Sequence, residues 1–525
     1  MKRLERHSLT VLAVLVAALA AALWLAGALE HGTLTWPSAG VPALPSLSPP
    51  GGSYAQSVAL EMAPASRGGT VVFATGGHVP TVTVGTVYER PVLLDAGAPA
   101  VTVVRAREVV GGVAGPVVDA SYAVGLGHTL PILSIIADPL DLWDPARGLL
   151  ANTWQRGQAW ERAVHVTYID GDQVVALPAG LRVDGSEPFD APKQSLRLYF
   201  RAEYGAARLA FPIFPDHPDQ DDPSYKRLLL LAGDRSGRWT LLEEQLLSEV
   251  AAEVGGRVTQ GRFVLLFLNG ESWGIYRLGE RIDRFYLEDN LGLRSADLIR
   301  GGDFEEGDAA DWERLMAWLA THDVSDAANF ATLAAQVDVD DFTDYAILQA
   351  YFGFPANRFS AVRPQGGGRW SWLYGDWQRA WTPDGSPETM LADDDPEDVA
   401  FLLHKLLENS GYRDDFARRA AALLNTTLAP EAMAARVERL AAALRPDIGY
   451  EEGRWSAPTA WERNVAALEA LTGQRHAAVQ AQVAAALGLE GMAQVAFAAV
   501  PEVGGRVFVD GLPVEQGAYF LGVDV

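Results

Sequence analysis

The chain has 525 residues, of which 49% are apolar and 21% charged, a mix that excludes disorder at a length that calls for more than one core. Its 42 basic and 67 acidic residues leave a net charge of −25, which argues against nucleic acid and anionic membrane surfaces as partners. The absence of cysteine excludes disulfides, zinc–thiolate sites, iron–sulfur clusters and thiol nucleophiles.

Lys2, Arg3 and Arg6 precede an uncharged run from Ser8 to Leu29, long enough to span a bilayer. Residues 1–30 therefore read as a signal peptide or a signal anchor. Ala26 and Ala28 offer a small-residue cleavage site, so both fates stay open. The positive flank orients the rest of the chain outward, and the expected location is extracytoplasmic, secreted or membrane-anchored. Residues 31–51 are a Pro/Ser/Gly linker. Residues 52–125 alternate runs such as "TVVFA" and "AVTVVRAREVV" with Gly/Pro turns, which predicts a small all-β sandwich acting as a spacer.

From Leu130 the chain reads as a mixed α+β unit. "LPILSIIADPLDLWDP" and "WERAVHVTYIDGD" read as strands that end in turns, and in "SLRLYF" Leu196, Leu198 and Phe200 alternate with Ser195, Arg197 and Tyr199. "TLLEEQLLSEVAAEVGG" predicts a helix with Thr240 and Glu243 as a capping box. Its stripe is Leu242, Leu246, Val250 and Val254, and it stops at Gly255. Asn269–Gly270 between two apolar runs predicts a hairpin.

Asp341 and Asp344 in "DVDDFTDYAILQAYFG" read as capping and first-turn acids of the next helix. The following "AYFGFPANRFSAVRPQGGGRWSWLYGDW" surrounds Asn357 and Asp376 with aromatic residues. Trp370, Trp372, Tyr374 and Asp376 share one strand face, so Asp376 is expected to project from the strand end beside an aromatic wall. "GGG" at 366–368 reads as a hairpin turn, and "LADDDPED" as a cap for the next helix. From about Glu397 the chain is helical, with Met433, Val437, Leu440 and Leu444 as one stripe, and residues 494–525 return to a short β module. No His pair at metal spacing, GxSxG elbow, Walker loop or GxGxxG occurs.

Taken in order, "LPILSIIADPLDLWDP", "YGAARLAFPIF", "LNGESWGIYRLGERID" and the Asn/Asp stretch resemble the CotH (spore coat protein H) family. The resemblance implies an atypical bilobal protein-kinase-like domain over residues 130–490, with an N-lobe of about 130–285 and a helical C-lobe of about 286–490. It also implies Mg²⁺ and ATP as cofactors if the site is functional, and none otherwise, because some members transfer phosphate from ATP to Ser-rich coat or surface proteins. Such a reaction needs a cation on the phosphates, oxygen ligands for Mg²⁺ and an acid near the incoming hydroxyl.

Each requirement maps onto a position. The family lysine just before a serine falls on Gln194 of "PKQS", one residue after Lys193. Lys193 is the nucleotide-binding candidate, or else a solvated strand-edge lysine. Glu280 is the second such candidate, with pairing to Arg277 or Arg281 as its alternative. The family's Asn-x-Asp-Trp-Pro-x-Asn reads "YFGFPAN" here, so Gly353 stands at the acid position and the catalytic acid is unidentified. Asn357 matches and is a metal-ligand candidate, or a turn-forming Asn after Pro. Asp376 is the other metal candidate, where relatives carry two acids. These departures imply a catalytically degenerate member that serves surface or coat assembly or binding, with secreted or surface proteins as partners. The alternative is an active kinase acting on Ser/Thr of such proteins.

Overall fold

The computed structural model describes residues 41–525 except 82, 186–189, 215–222, 234–239, 376–390, 392–398, 456–459, 497–506, 510, 514–515, 522 and 524–525. The expected signal or anchor segment 1–30, the first part of the linker, Asp376 and most of "LADDDPED" lie outside the described residues. Among the described residues, no helix is long and apolar enough to cross a membrane.

Two sheets open the described chain. One has three strands, Ser46–Ser48, Val58–Ala63 and Val92–Leu94, and the other has five, including the long pair Ala100–Val110 and Val113–Val124. Alternation along Val58–Ala63 buries Val58, Leu60 and Met62 against Val104, Ala106 and Tyr122, the pattern of facing sheets. Pairing begins at Ser46, opposite Ala63, six residues before the expected boundary, because the Ser-rich end of the linker is itself an edge strand. The module packs onto the rest of the molecule. Val101, Val103 and Ala123 join the main core of the molecule, and Ser121 Oγ meets Ser134 Oγ at 2.8 Å.

Seven strands then close a barrel, in the order Arg162–Asp170, Gln173–Val183, Leu196–Tyr199, Arg227–Leu231, Glu271–Gly279, Gly261–Leu268 and Ile132–Ile136. Only the closing pair, Gly261–Leu268 with Ile132–Ile136, is parallel. Period-two alternation sets which side chain fills which core. Leu133, Ile135, Val264 and Leu266 fill the barrel, whereas Ile132, Ile136, Phe263, Leu265 and Phe267 face the outer core. Asn269 (φ 51°) and Gly270 (φ 88°) make the expected two-residue hairpin with both central residues left-handed. Asn269 Oδ1 also accepts from Ala137 N at 2.8 Å.

Eleven α-helices lie among the described residues: α1 Pro139–Trp143, α2 Glu243–Glu253, α3 Arg284–Leu291, α4 Ala310–Leu319, α5 Ala327–Ala334, α6 Val339–Phe352, α7 Val399–Leu406, α8 Ser410–Asn425, α9 Pro430–Leu444, α10 Ile448–Trp455 and α11 Trp461–Leu487. The α2 stripe of Leu246 and Val250 is fully buried, but the expected capping box does not form. Leu242 is the N-cap and makes no side-chain cap bond. Leu241 turns at φ 68°, which breaks the helical path just after Thr240 so that Leu241 and Leu242 can both be buried. Met433, Val437, Leu440 and Leu444 line the buried face of α9 as expected. The C-terminal strands dock on α8, where Asn425 exchanges hydrogen bonds with the backbone of Ala518.

A second sheet of five strands, Arg257–Val258, Ser371–Tyr374, Ala361–Pro364, Ala296–Arg300 and Asp303–Glu306, packs against α2 and α6. The aromatic run of its second strand is core. Trp372 packs on Phe342 at 4.5 Å between ring centres and Tyr374 on Tyr345 at 5.1 Å, while Leu373 points the other way, onto Ile282 and Tyr286.

Candidate functional site

The strand Glu271–Gly279 carries two of the sequence candidates' neighbourhoods, one near each end. Glu280, just past its C-terminal end, is buried. Its Oε2 accepts from Gln260 N at 3.0 Å and its Oε1 from Asn290 Nδ2 at 2.8 Å. Burial pushes its pKa up, and these two hydrogen bonds oppose the shift. The expected pairing with Arg277 or Arg281 is not what forms. Arg277 reaches across to α2, donating to Gln245 Oε1 (3.0 Å) and Ser248 Oγ (3.2 Å), and also to Thr259 O (3.2 Å). Arg281 pairs with Asp283 and Glu305. Both are drawn off because helix acceptors and nearer carboxylates satisfy guanidinium forks better than a carboxylate already held by two donors.

Glu280 lines two small cavities of about 10 Å³ and 20 Å³, the smaller of which it shares with Glu244, Thr259 and Arg277. Each is of the order of one water, far below the ~300 Å³ at which small-molecule sites begin. The sheet strand that leads towards residue 376 arrives beside them. A Cβ on Gly375 would meet Ile282 at 3.0 Å and Thr259 at 3.6 Å.

α6 ends at Gly353, whose left-handed backbone (φ 66°, ψ 38°) caps it. Phe354 N bonds back to Gln349 O at 3.1 Å. Arg475 of α11 donates to the carbonyls of Ala350 and Tyr351, the latter at 2.9 Å. The acid position of the family is thus a helix stop whose free carbonyls are held by a buried guanidinium. After it, the 3-10 turn Ala356–Arg358 exposes Asn357. Leu373 N donates to Ser360 O at 3.0 Å, extending the register of Ala361 opposite Trp372. The structure therefore brings Asn357 and Gly375 to the same end of one hairpin.

Lys193 is elsewhere and is not a solvated lysine. Its side chain is 1% exposed, and Nζ donates to Ile275 O (2.7 Å) and to both oxygens of Glu451 on α10 (2.7 and 2.9 Å). The Tyr276 ring lies 4.7 Å from the ammonium. Glu451 also accepts from Ile275 N at 2.8 Å. Gly274 (φ 79°) makes that approach possible, since a Cβ there would sit 2.2 Å from Glu451 Oε2. Ile275 and Glu280 are five residues apart on extended chain, roughly 17 Å, so Lys193 and Glu280 do not share a site. Gln194 is buried as well, with Nε2 on Ala191 O at 2.8 Å.

Asp341 falls in the first turn of α6 as expected and Asp344 one turn further on, and both also hold tertiary contacts. Asp341 accepts from Trp372 N at 2.7 Å and pairs with Arg257 at 3.0 Å. Burial pushes its pKa up to about 6, against the pull of Arg257 and the Trp372 amide. Asp344 takes a bidentate bond from Arg419 at 2.6 and 2.8 Å. Among the described residues no group of three His, Asp or Glu is placed to hold a metal ion.

A family model described as CotH kinase protein matches residues 181–479, more than half of the chain. The chain belongs to the CotH family. No curated protein matches it. The CotH match begins inside the strand Gln173–Val183, yet residues 132–170 contribute two further barrel strands, so the folded unit extends N-terminally beyond the matched segment. Glu451 and Arg475, the partners that define the Lys193 and Gly353 environments, went unnoticed in the sequence. The one local signal was Gly274, a glycine inside a strand, which marks a close approach.

Proposed function

We propose that this CotH-family protein acts outside the cytoplasm as a binding or assembly component at a surface or coat, on an atypical kinase-like fold that no longer transfers phosphate. The observation that carries this reading is Gly353. Where the family resemblance calls for an acid, the residue has no side chain and its left-handed backbone ends α6, while Arg475 occupies the carbonyls beside it. A positioned catalytic acid contributes orders of magnitude to the rate. The Lys193 ammonium keeps its charge, but its donors go to Ile275 O and both oxygens of Glu451, at a place Glu280 does not reach, which supports the same reading. The basic N-terminal flank and the apolar run after it support an extracytoplasmic location.

The test compares thermal unfolding of the full chain with and without millimolar Mg²⁺–ATP, followed by transfer of labelled γ-phosphate to itself and to a Ser-rich protein. The expected result is no stabilisation and no incorporation. Stabilisation that disappears in Asp376→Ala, accompanied by incorporation, would establish an active kinase with Asn357 and Asp376 on the metal.

A further inference from the structure

A further cavity lies away from the region just described. It is a cleft of about 610 Å³ between α5, the first turns of α6 and α8. Thirteen helical residues separate Asp340 from Gly353, roughly 20 Å along α6. Its volume is that of a ligand site. Phe330 and Tyr412, with ring centres 6.3 Å apart, and Val339 give it an apolar floor. Tyr412 is fixed by Thr343, Oη to Oγ1 at 2.9 Å.

The lining holds three carboxylates and three guanidiniums, but Arg369 is turned to Asp338 outside the lining, which leaves one carboxylate over. Arg419 is paired with Asp344, Arg418 with Asp415 and Arg369 with Asp338, so each lining arginine already faces a carboxylate. Asp340 is the remaining lining acid. It is exposed in the first turn of α6, and among the described residues it has no hydrogen bond or ion pair. The negative field reaches the floor. Burial first, and then Asp340, Asp344 and Asp415, hold the Tyr412 phenol well above the usual tyrosine range, against the opposing hydrogen bond from Thr343.

We propose that this cleft is a docking site for a partner peptide that carries a lysine or arginine beside an apolar residue. The cation meets Asp340 and the half-buried ring of Phe330, and the apolar neighbour covers Val339. An aromatic ring and an uncompensated carboxylate together favour a cation over an anion. The three existing ion pairs leave no guanidinium for an acidic peptide without breaking a pair.

Fluorescence anisotropy of the full chain with a fluorescein-labelled Leu-Lys-Leu-Lys-Leu peptide and with its Glu counterpart tests this. The Lys peptide is expected to bind at least tenfold tighter, less so as salt is raised. Asp340→Asn and Phe330→Ala should each weaken it by about fivefold, with the melting temperature of the Asp340→Asn protein unchanged. Glu431→Gln, an exposed acid of α9 outside the cleft, should leave binding intact. Equal binding of both peptides, insensitivity to Asp340→Asn, or equal weakening by Glu431→Gln would overturn the proposal, the last by showing that the net charge of the chain is the attractant. None of these readouts involves nucleotide, so this proposal and the loss of phosphotransfer fail separately.

Discussion

Removing the Glu451 carboxylate should be among the most damaging single changes in this protein. Glu451→Ala removes the carboxylate from the Lys193 ammonium, whose side chain is 1% exposed and which also meets the Ile275 carbonyl and the Tyr276 ring. It also strips the Ile275 amide of its acceptor. Breaking a buried pair by deleting one partner costs about 3–5 kcal/mol, most of it the burden of an uncompensated charge. Lys193→Met combined with Glu451→Ala removes that charge, so the double variant should be less destabilised than the sum of the two single variants by about 2 kcal/mol or more. The local reporter is tryptophan emission during urea unfolding. Trp455 donates to Trp273 O at 3.0 Å and the two rings lie 5.3 Å apart, directly beside the pair. A loss below about 1 kcal/mol for Glu451→Ala, or strict additivity in the double variant, would refute the claim that the pair is a buried and coupled one.

Three further outcomes follow from the geometry. Gly274→Ala should cost about 1–3 kcal/mol for the left-handed backbone alone and expel Glu451 as well, which hydrogen exchange at the Ile275 amide would register as lost protection. Asp341 has a folded pKa of about 6, above its unfolded value of about 3.9. The folded state therefore holds the extra proton between those limits, and stability should fall as pH rises through that window. The fall is on the order of 2–3 kcal/mol, and Asp341→Asn should flatten it in urea titrations at pH 4 and pH 7. Gly353→Asp should fold, since the nearest atom to a Cβ there is 3.5 Å away on Arg475, at a cost of about 1 kcal/mol. It should not create transferase activity, because that guanidinium captures the carboxylate. Incorporation of label above background would show that the acid position alone was missing.

Local chemistry was legible in the sequence and distant chemistry was not. Asn269–Gly270 announced its hairpin because two adjacent left-handed residues define the turn without help from elsewhere. The α9 stripe was equally plain, because one helix face carries all its information in its own spacing. The start of α2 was misplaced because burial of Leu241 and Leu242 outweighed the capping propensity of Thr240. Lys193 could be named as a residue with a task but not given its partner, which lies 258 positions away in a helix with no distinguishing motif. The expected pairing of Asn357 with Asp376 falls partly outside the described residues, although a short hairpin does join the segments that carry Asn357 and Gly375.

Helix α10 places contacts against much earlier parts of the chain: Tyr450 on Gly127 O, Glu451 on Lys193 and Trp455 on Trp273, with Asp447 just before it on the amides of Thr129 and Leu130. The Asp447 contact spans 318 residues. A chain growing from its N-terminus thus completes all seven barrel strands long before the segment that neutralises Lys193 has been made. If the protein is exported while still unfolded, this costs nothing. If the barrel folds as it is made, it must idle with a naked ammonium until the ribosome has passed residue 451, and that interval is when a chaperone or a protease has its best opportunity.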